Sequence, residues 1–156
     1  MNRLKSAAAT AFAAASALAL SACATYAERD ALDFGTRLSA SLDGANEVPR
    51  LGDPDGSGEF LAALNPQGRM CYQMEARGTD LITAAHIHEG AAGVAGGVVA
   101  PLITPQLGQR ANACTEIDAG LAKRILANPG GFYVNLHNEA YPAGAVRGQL
   151  MAVGTE

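Results

Sequence analysis

The chain has 156 residues, 11 Lys and Arg against 15 Asp and Glu, and three histidines, for a net charge of −4. That length supports one domain with a real core rather than two. The acidic balance excludes a nucleic-acid partner, since a phosphate backbone repels such a surface, and it weakly favours cations.

Residues 1–22 open with Arg3 and Lys5 and continue as an uncharged run of Ala, Leu and small residues. This is the pattern of an export signal. The run is too short to cross a hydrocarbon core of about 30 Å as a helix. It ends in Leu20-Ser21-Ala22-Cys23, which resembles the bacterial lipobox, where the Cys thiol is acylated and becomes the mature N-terminus. The alternative is a plain cleavage site with a chance cysteine. On the lipobox reading, Cys23 anchors the chain to a membrane, because acyl chains contribute about 0.8 kcal/mol per buried CH₂. Ala24 after the cysteine resembles the outer-membrane default, so the expected location is the cell envelope, at the periplasmic face of the outer membrane. Residues 23–33 then form a lipidated tether. The mature chain would keep nine basic and fifteen acidic side chains, a net charge of −6.

From Phe34 the texture changes to short apolar segments separated by Gly, Pro, Asn and Asp, and residues 34–153 read as one domain. Strands are expected at 36–42, 58–64, 69–76, 84–88, 98–103, 111–117, 132–137 and 145–152. Turn signals between them include Asp53-Pro54-Asp55-Gly56, Asn65-Pro66-Gln67-Gly68 and Asn128-Pro129-Gly130-Gly131. One short helix is expected, capped by Asp118, with Leu121, Ile125 and Leu126 as its apolar face and Asn128-Pro129-Gly130 as its stop. The fold class is therefore all-β, a Greek-key β-sandwich or barrel of about eight strands with one short helix.

Cys71 and Cys114 are an even pair beyond Cys23. In an exported protein such a pair reads as a disulfide, worth roughly 3–4 kcal/mol for a loop of about 40 residues. Two free thiols are the alternative.

All three histidines lie in two of the expected strands, as His86-Ile87-His88 and as Leu136-His137. Alternate side chains share a face, so His86 and His88 point one way and Ile87 to the core. The same alternation turns Phe132, Val134 and Leu136 inward and Tyr133, Asn135 and His137 outward. Residues i and i+2 stand about 6.6 Å apart along a strand. Two imidazoles can bridge that span at one ion with metal–nitrogen distances of about 2 Å. If the strands are neighbours, His86, His88 and His137 make a three-nitrogen site suited to copper, with zinc as the alternative. The segment from Glu89 to Gly97 is dense in small residues, as a site rim needs. The competing reading leaves all three histidines solvated.

Glu89, Asn138 and Glu139 are candidates to orient the imidazoles, as metal-bound histidines commonly require; their alternative is as turn residues. Arg147, counted back across the turn at Tyr141-Pro142-Ala143-Gly144, is placed near His137, where it guides an anion or serves as a plain cross-strand charge. There is no nucleophile elbow, phosphate loop or Cys-x-x-Cys, so the chain reads as a binder rather than an enzyme.

The stretches 38–49, 84–90, 132–137 and 142–150 together resemble the CHRD domain, over about Phe34 to Met151. The resemblance implies a β-sandwich of about this size. It also keeps a protein-interaction role open, because in chordin the domain belongs to an extracellular binder of signalling proteins. A more distant similarity links His86, His88 and His137 to the copper ligands of Cu/Zn superoxide dismutases, without the bridging histidine or zinc cluster of those enzymes. Three functions follow as expectations. The first is an exported copper-binding lipoprotein that buffers or hands on the ion. The others are an envelope interaction module, with an envelope protein as partner, and a dismutase-like oxidoreductase.

Overall fold

The computed structural model describes residues 34–154. The export signal, Cys23 and the tether lie outside the described residues. The compact unit that follows contains β1 (Thr36–Asp43), β2 (Ser57–Leu64), β3 (Arg69–Arg77), β4 (Ile82–Glu89), β5 (Gly97–Leu102) and β6 (Ala111–Glu116). The helix α1 (Ala119–Ala127), β7 (Phe132–Asn138), β8 (Val146–Gln149) and β9 (Met151–Ala152) complete it.

Every pairing is antiparallel, in the order β5-β4-β7-β8-β1-β2-β3-β6, with β9 added against β1. The fold is all-β with one short helix, as expected, in the form of a single sheet curled into a half-barrel around its core. Each of the eight expected segments forms a strand, and the last divides at Leu150. There the backbone N–H of Leu150 bonds to the Phe132 carbonyl, ending the run against β7 before β9 turns to β1.

Period-two alternation builds the core. Leu38, Ala40 and Leu42 of β1 face Phe60, Ala62 and Leu64 of β2, and Met70, Tyr72 and Met74 of β3 extend the same layer. Ile87, Val134 and Leu136 bring β4 and β7 into it, all fully buried. The helix lies on the chain path between β6 and β7; the Asp118 carboxylate caps it by accepting the N–H of Leu121, and it buries Leu121, Ala122 and Ile125. The edge strand β5 carries Pro101, which removes a ladder donor where pairing with another chain would otherwise start.

The outer face of β4, β7 and β8 is covered in large part, with His86 and His137 left half-buried. The loops at 44–56, 90–97 and 139–145 fold over it, tied by hydrogen bonds from Asp53 N to the Ala145 carbonyl and from Gln149 Nε2 to the Gly90 carbonyl. Tyr133 and Asn135 point away from the apolar core, as expected, yet they are buried together with Arg147. A second, polar interior lies there.

Cys71 and Cys114 stand opposite each other on β3 and β6 and are joined by a disulfide. The bond ties β6, an edge strand, to the sheet and closes a loop of 43 residues. Replacing both cysteines by Ala should cost about 3–4 kcal/mol and lower the midpoint of thermal unfolding by roughly 10 °C or more. Calorimetry of the double variant checks this, and an unchanged midpoint would refute it.

Candidate metal centre

The site is assembled by one strand pair. β4 and β7 are hydrogen-bonded neighbours in which Ala84 faces His137, His86 faces Asn135 and His88 faces Tyr133. His86 and His137 are thus diagonal neighbours on one face, within reach of long side chains. Their ring centroids are 5.1 Å apart, and His86 and His88 stand at 5.7 Å. A register shift between Ile87 and His88 in the ladder to β5 leaves Val99 of β5 as the extra residue of a bulge beside the site. One ring nitrogen from each of the three histidines lies within 4.8 Å of the others.

Hydrogen bonds select which nitrogens face the common point. His137 Nδ1 is 3.1 Å from the Pro142 carbonyl oxygen, and His88 Nδ1 is 2.9 Å from that of Gly96. A carbonyl oxygen only accepts, so both Nδ1 atoms carry a proton, which in a neutral ring leaves the lone pair on Nε2. His88 Nε2 is buried without a partner. His137 Nε2 accepts instead from His86 Nδ1 at 3.1 Å. An ion about 2 Å from each nitrogen holds them at most about 4 Å apart, so the widest separation would close by under about 1 Å.

Burial, and secondarily the charge of His88, lower the pKa of His86. Burial also lowers that of His137, with His86 the next contributor; the Pro142 hydrogen bond opposes this in part. Both rings are therefore neutral at neutral pH, the form in which imidazole ligates.

Behind His88 the sheet carries a stack. Tyr133 lies parallel to the His88 ring with centroids 4.7 Å apart, and the Arg147 guanidinium carbon sits 3.3 Å from the centre of the Tyr133 ring. Arg147 donates to the carbonyls of Ala91 and Val94 at 3.0 and 2.9 Å, and the Tyr133 hydroxyl accepts from Gly96 N. The loop that supplies the Gly96 carbonyl to His88 is fixed by these contacts. Gly96 itself packs against the Glu89 carbonyl so closely that a Cβ there would overlap it.

The expected orienting side chains are placed elsewhere. Glu89 is exposed and pairs with Arg124 at 3.3 Å. The Asn138 Oδ1 accepts from Tyr141 N, and Glu139 is exposed. The acceptors that do orient His88 and His137 are backbone carbonyls, which no side-chain pattern encodes. Arg147 stands opposite Asn135 rather than beside His137, because the β7–β8 register pairs Leu136 with Val146. Buried and engaged with loop carbonyls, it is no guide for a solvent anion.

Sequence reasoning assigned no role to Glu47. This residue is buried, and its carboxylate accepts from Asn135 Nδ2. Burial raises its pKa to about 7, against the opposing pull of Arg147 and of hydrogen bonds from Asn135 and Val48. Its only sequence cue is an acidic residue in an otherwise apolar and polar-neutral turn, Ala45-Asn46-Glu47-Val48.

Comparison with known proteins finds a family model, the CHRD domain, matching residues 38–150. No curated protein and no solved structure matches the chain. The similarity to Cu/Zn superoxide dismutases rests on three histidines alone and is not borne out.

Glu47 yields a pH prediction. Its native pKa of about 7 exceeds the unfolded value of 4.5, so between those values the native state holds a proton that the unfolded chain has released. Stability contributed by this group is present below about 4.5 and lost as pH rises through 7. Glu47→Gln should match the parent near pH 4.5 and exceed it by roughly 5–10 °C in unfolding midpoint near pH 8. His86 and His137 act in the opposite sense below 6.5 but are common to both proteins and cancel. A constant difference across this range would refute the assignment.

Proposed function

The chain belongs to the CHRD domain family, and we propose that this member binds one metal ion, copper, through His86, His88 and His137. The observation that carries the reading is the buried, unpartnered Nε2 of His88 within 4.8 Å of two further imidazole nitrogens. A buried lone pair without a donor costs about 1–3 kcal/mol, and a metal ion supplies the missing partner. Two of the rings are oriented through their other nitrogen by a backbone carbonyl, the usual arrangement of a ligating histidine. In the third, the ion would replace the proton that His86 Nδ1 shares with His137.

Imidazole nitrogen suits both copper and zinc, and at equal geometry divalent copper binds more tightly. Zinc is the lesser candidate. His86 and His137 are part exposed, so an ion can enter and leave. That favours buffering or handing on copper over turnover.

The location follows from the same reading. The Cys71–Cys114 disulfide forms and persists in an oxidising compartment, which agrees with an export signal before Cys23 and a lipid anchor on it at the periplasmic face of the outer membrane. Mass spectrometry of the N-terminal peptide should find Cys23 acylated, and a free thiol there in the cleaved protein would remove the anchor.

Purified protein, stripped and titrated with Cu(I) and Cu(II), should take up one equivalent. His88→Ala should weaken uptake at least about 100-fold. Protons compete with the ion for His86 and His137, whose pKa values are lowered, so affinity should hold from pH 8 to about 6.5 and fall only below it. Undiminished uptake by a triple alanine variant of His86, His88 and His137 would overturn the proposal.

A further inference from the structure

We propose that the cavity between the loop after β1 and the β7–β8 turn is a binding site for a small organic ammonium ion with a compact apolar body, held through Glu47. The cavity measures about 290 Å³, about twice the volume of a cavity that admits benzene. Its buried end is formed by Glu47 and Gly144, and the exposed Arg50, Leu51 and Pro142 stand at its mouth. Gly144, at φ 149°, packs against the Glu47 carboxyl carbon, where a Cβ would overlap it. Glu47 thereby lines the inner end of an otherwise largely apolar space, with its carboxyl group held against Gly144.

The chemistry selects a cation. Glu47 accepts from Asn135 Nδ2, but the ion pairs within 4.0 Å among the described residues, Arg77–Glu75, Arg110–Glu75 and Arg124–Glu89, do not include it. Arg147 is near enough to lower its pKa, yet it forms no ion pair with it within 4.0 Å; its Nη2 donates to the carbonyls of Ala91 and Val94 and its face lies on Tyr133. A buried carboxylate whose nearest cation, Arg147, is not in direct contact still gains from an ammonium placed beside it at low dielectric. An anion would be repelled, and a neutral ligand would leave the charge uncompensated. Val48, Leu51 and Pro142 offer apolar contact to the body of the ligand. The ammonium can belong to a plain amine or to an amino acid, whose carboxylate would meet Arg50 at the mouth.

The full chain is titrated by calorimetry at pH 8, where Glu47 is ionised and the amines are protonated, with isopentylamine, leucine and the neutral isostere 3-methylbutanol. Isopentylamine should bind at least about tenfold more tightly than the alcohol. Glu47→Gln, which keeps an acceptor for Asn135, should abolish that preference and leave alcohol binding unchanged. Tighter binding of leucine than of isopentylamine, lost in Arg50→Ala, identifies an amino acid; the reverse order identifies a plain amine. The triple alanine variant of the histidines should bind isopentylamine as the parent does, because this site does not depend on the metal. Should Glu47→Gln fail to fold, Ala143→Phe at the mouth should block the amine. Equal affinity for amine and alcohol, an unaltered preference in Glu47→Gln, undiminished binding in Ala143→Phe, or no binding at 50 mM would each overturn the proposal.

Discussion

The guanidinium of Arg147 organises the outer face of the sheet. A buried charge is tolerated only when its hydrogen-bonding capacity is met and its charge is balanced or delocalised. Arg147 meets the condition in three directions, with the loop carbonyls of Ala91 and Val94, the face of Tyr133 and the field of Glu47. Each requirement fixes a neighbour. The carbonyls bring the 90–97 loop down over the strands, Tyr133 is held flat against His88, and Glu47 is retained in the interior despite the cost of burying it. The face thereby becomes a second interior made of polar groups, which work only as a connected set.

That set explains the state of the histidines. A solvated pair of histidines on a strand would have free rotamers and mixed tautomers, whereas His88 and His137 each have Nδ1 committed to a backbone carbonyl. The lone pairs are left converging, and one of them has no partner. Preorganisation of this kind lowers the entropy lost when an ion arrives. The same partial burial keeps His86 and His137 unprotonated at neutral pH.

The architecture was legible because it rests on short-range rules. Alternation of Ile87 against His86 and His88, and of Val134 and Leu136 against His137, assigned both faces, and Asp118 with Leu121 and Ile125 marked the helix. Adjacency of β4 and β7 was not legible, since 42 residues separate the end of one from the start of the other and only tertiary packing joins them. Arg147 was misplaced for a related reason. Counting back across the turn from 141 to 144 assumes a symmetrical hairpin, and the actual register sets Arg147 against Asn135. The supports of the imidazoles were invisible in principle, being carbonyls of Gly96 and Pro142 whose side chains carry no donor or acceptor.

The turn from 139 to 145 shows how closely the two candidate sites are built on one element. Pro142 presents its carbonyl to His137 and borders the Glu47 cavity, while Gly144 presses on the Glu47 carboxyl. Proline fixes φ and has no N–H to satisfy, so Pro142 takes its place in the turn without leaving a donor unpaired. Gly144 has the opposite virtue, reaching a φ of 149° that leaves room for the carboxyl group. A residue with a side chain at 144 would push Glu47 outward and, through Asn135, disturb the row of the sheet that also carries His86. The absence of a side chain at 144 is therefore a packing requirement of the polar interior, independent of what either site binds.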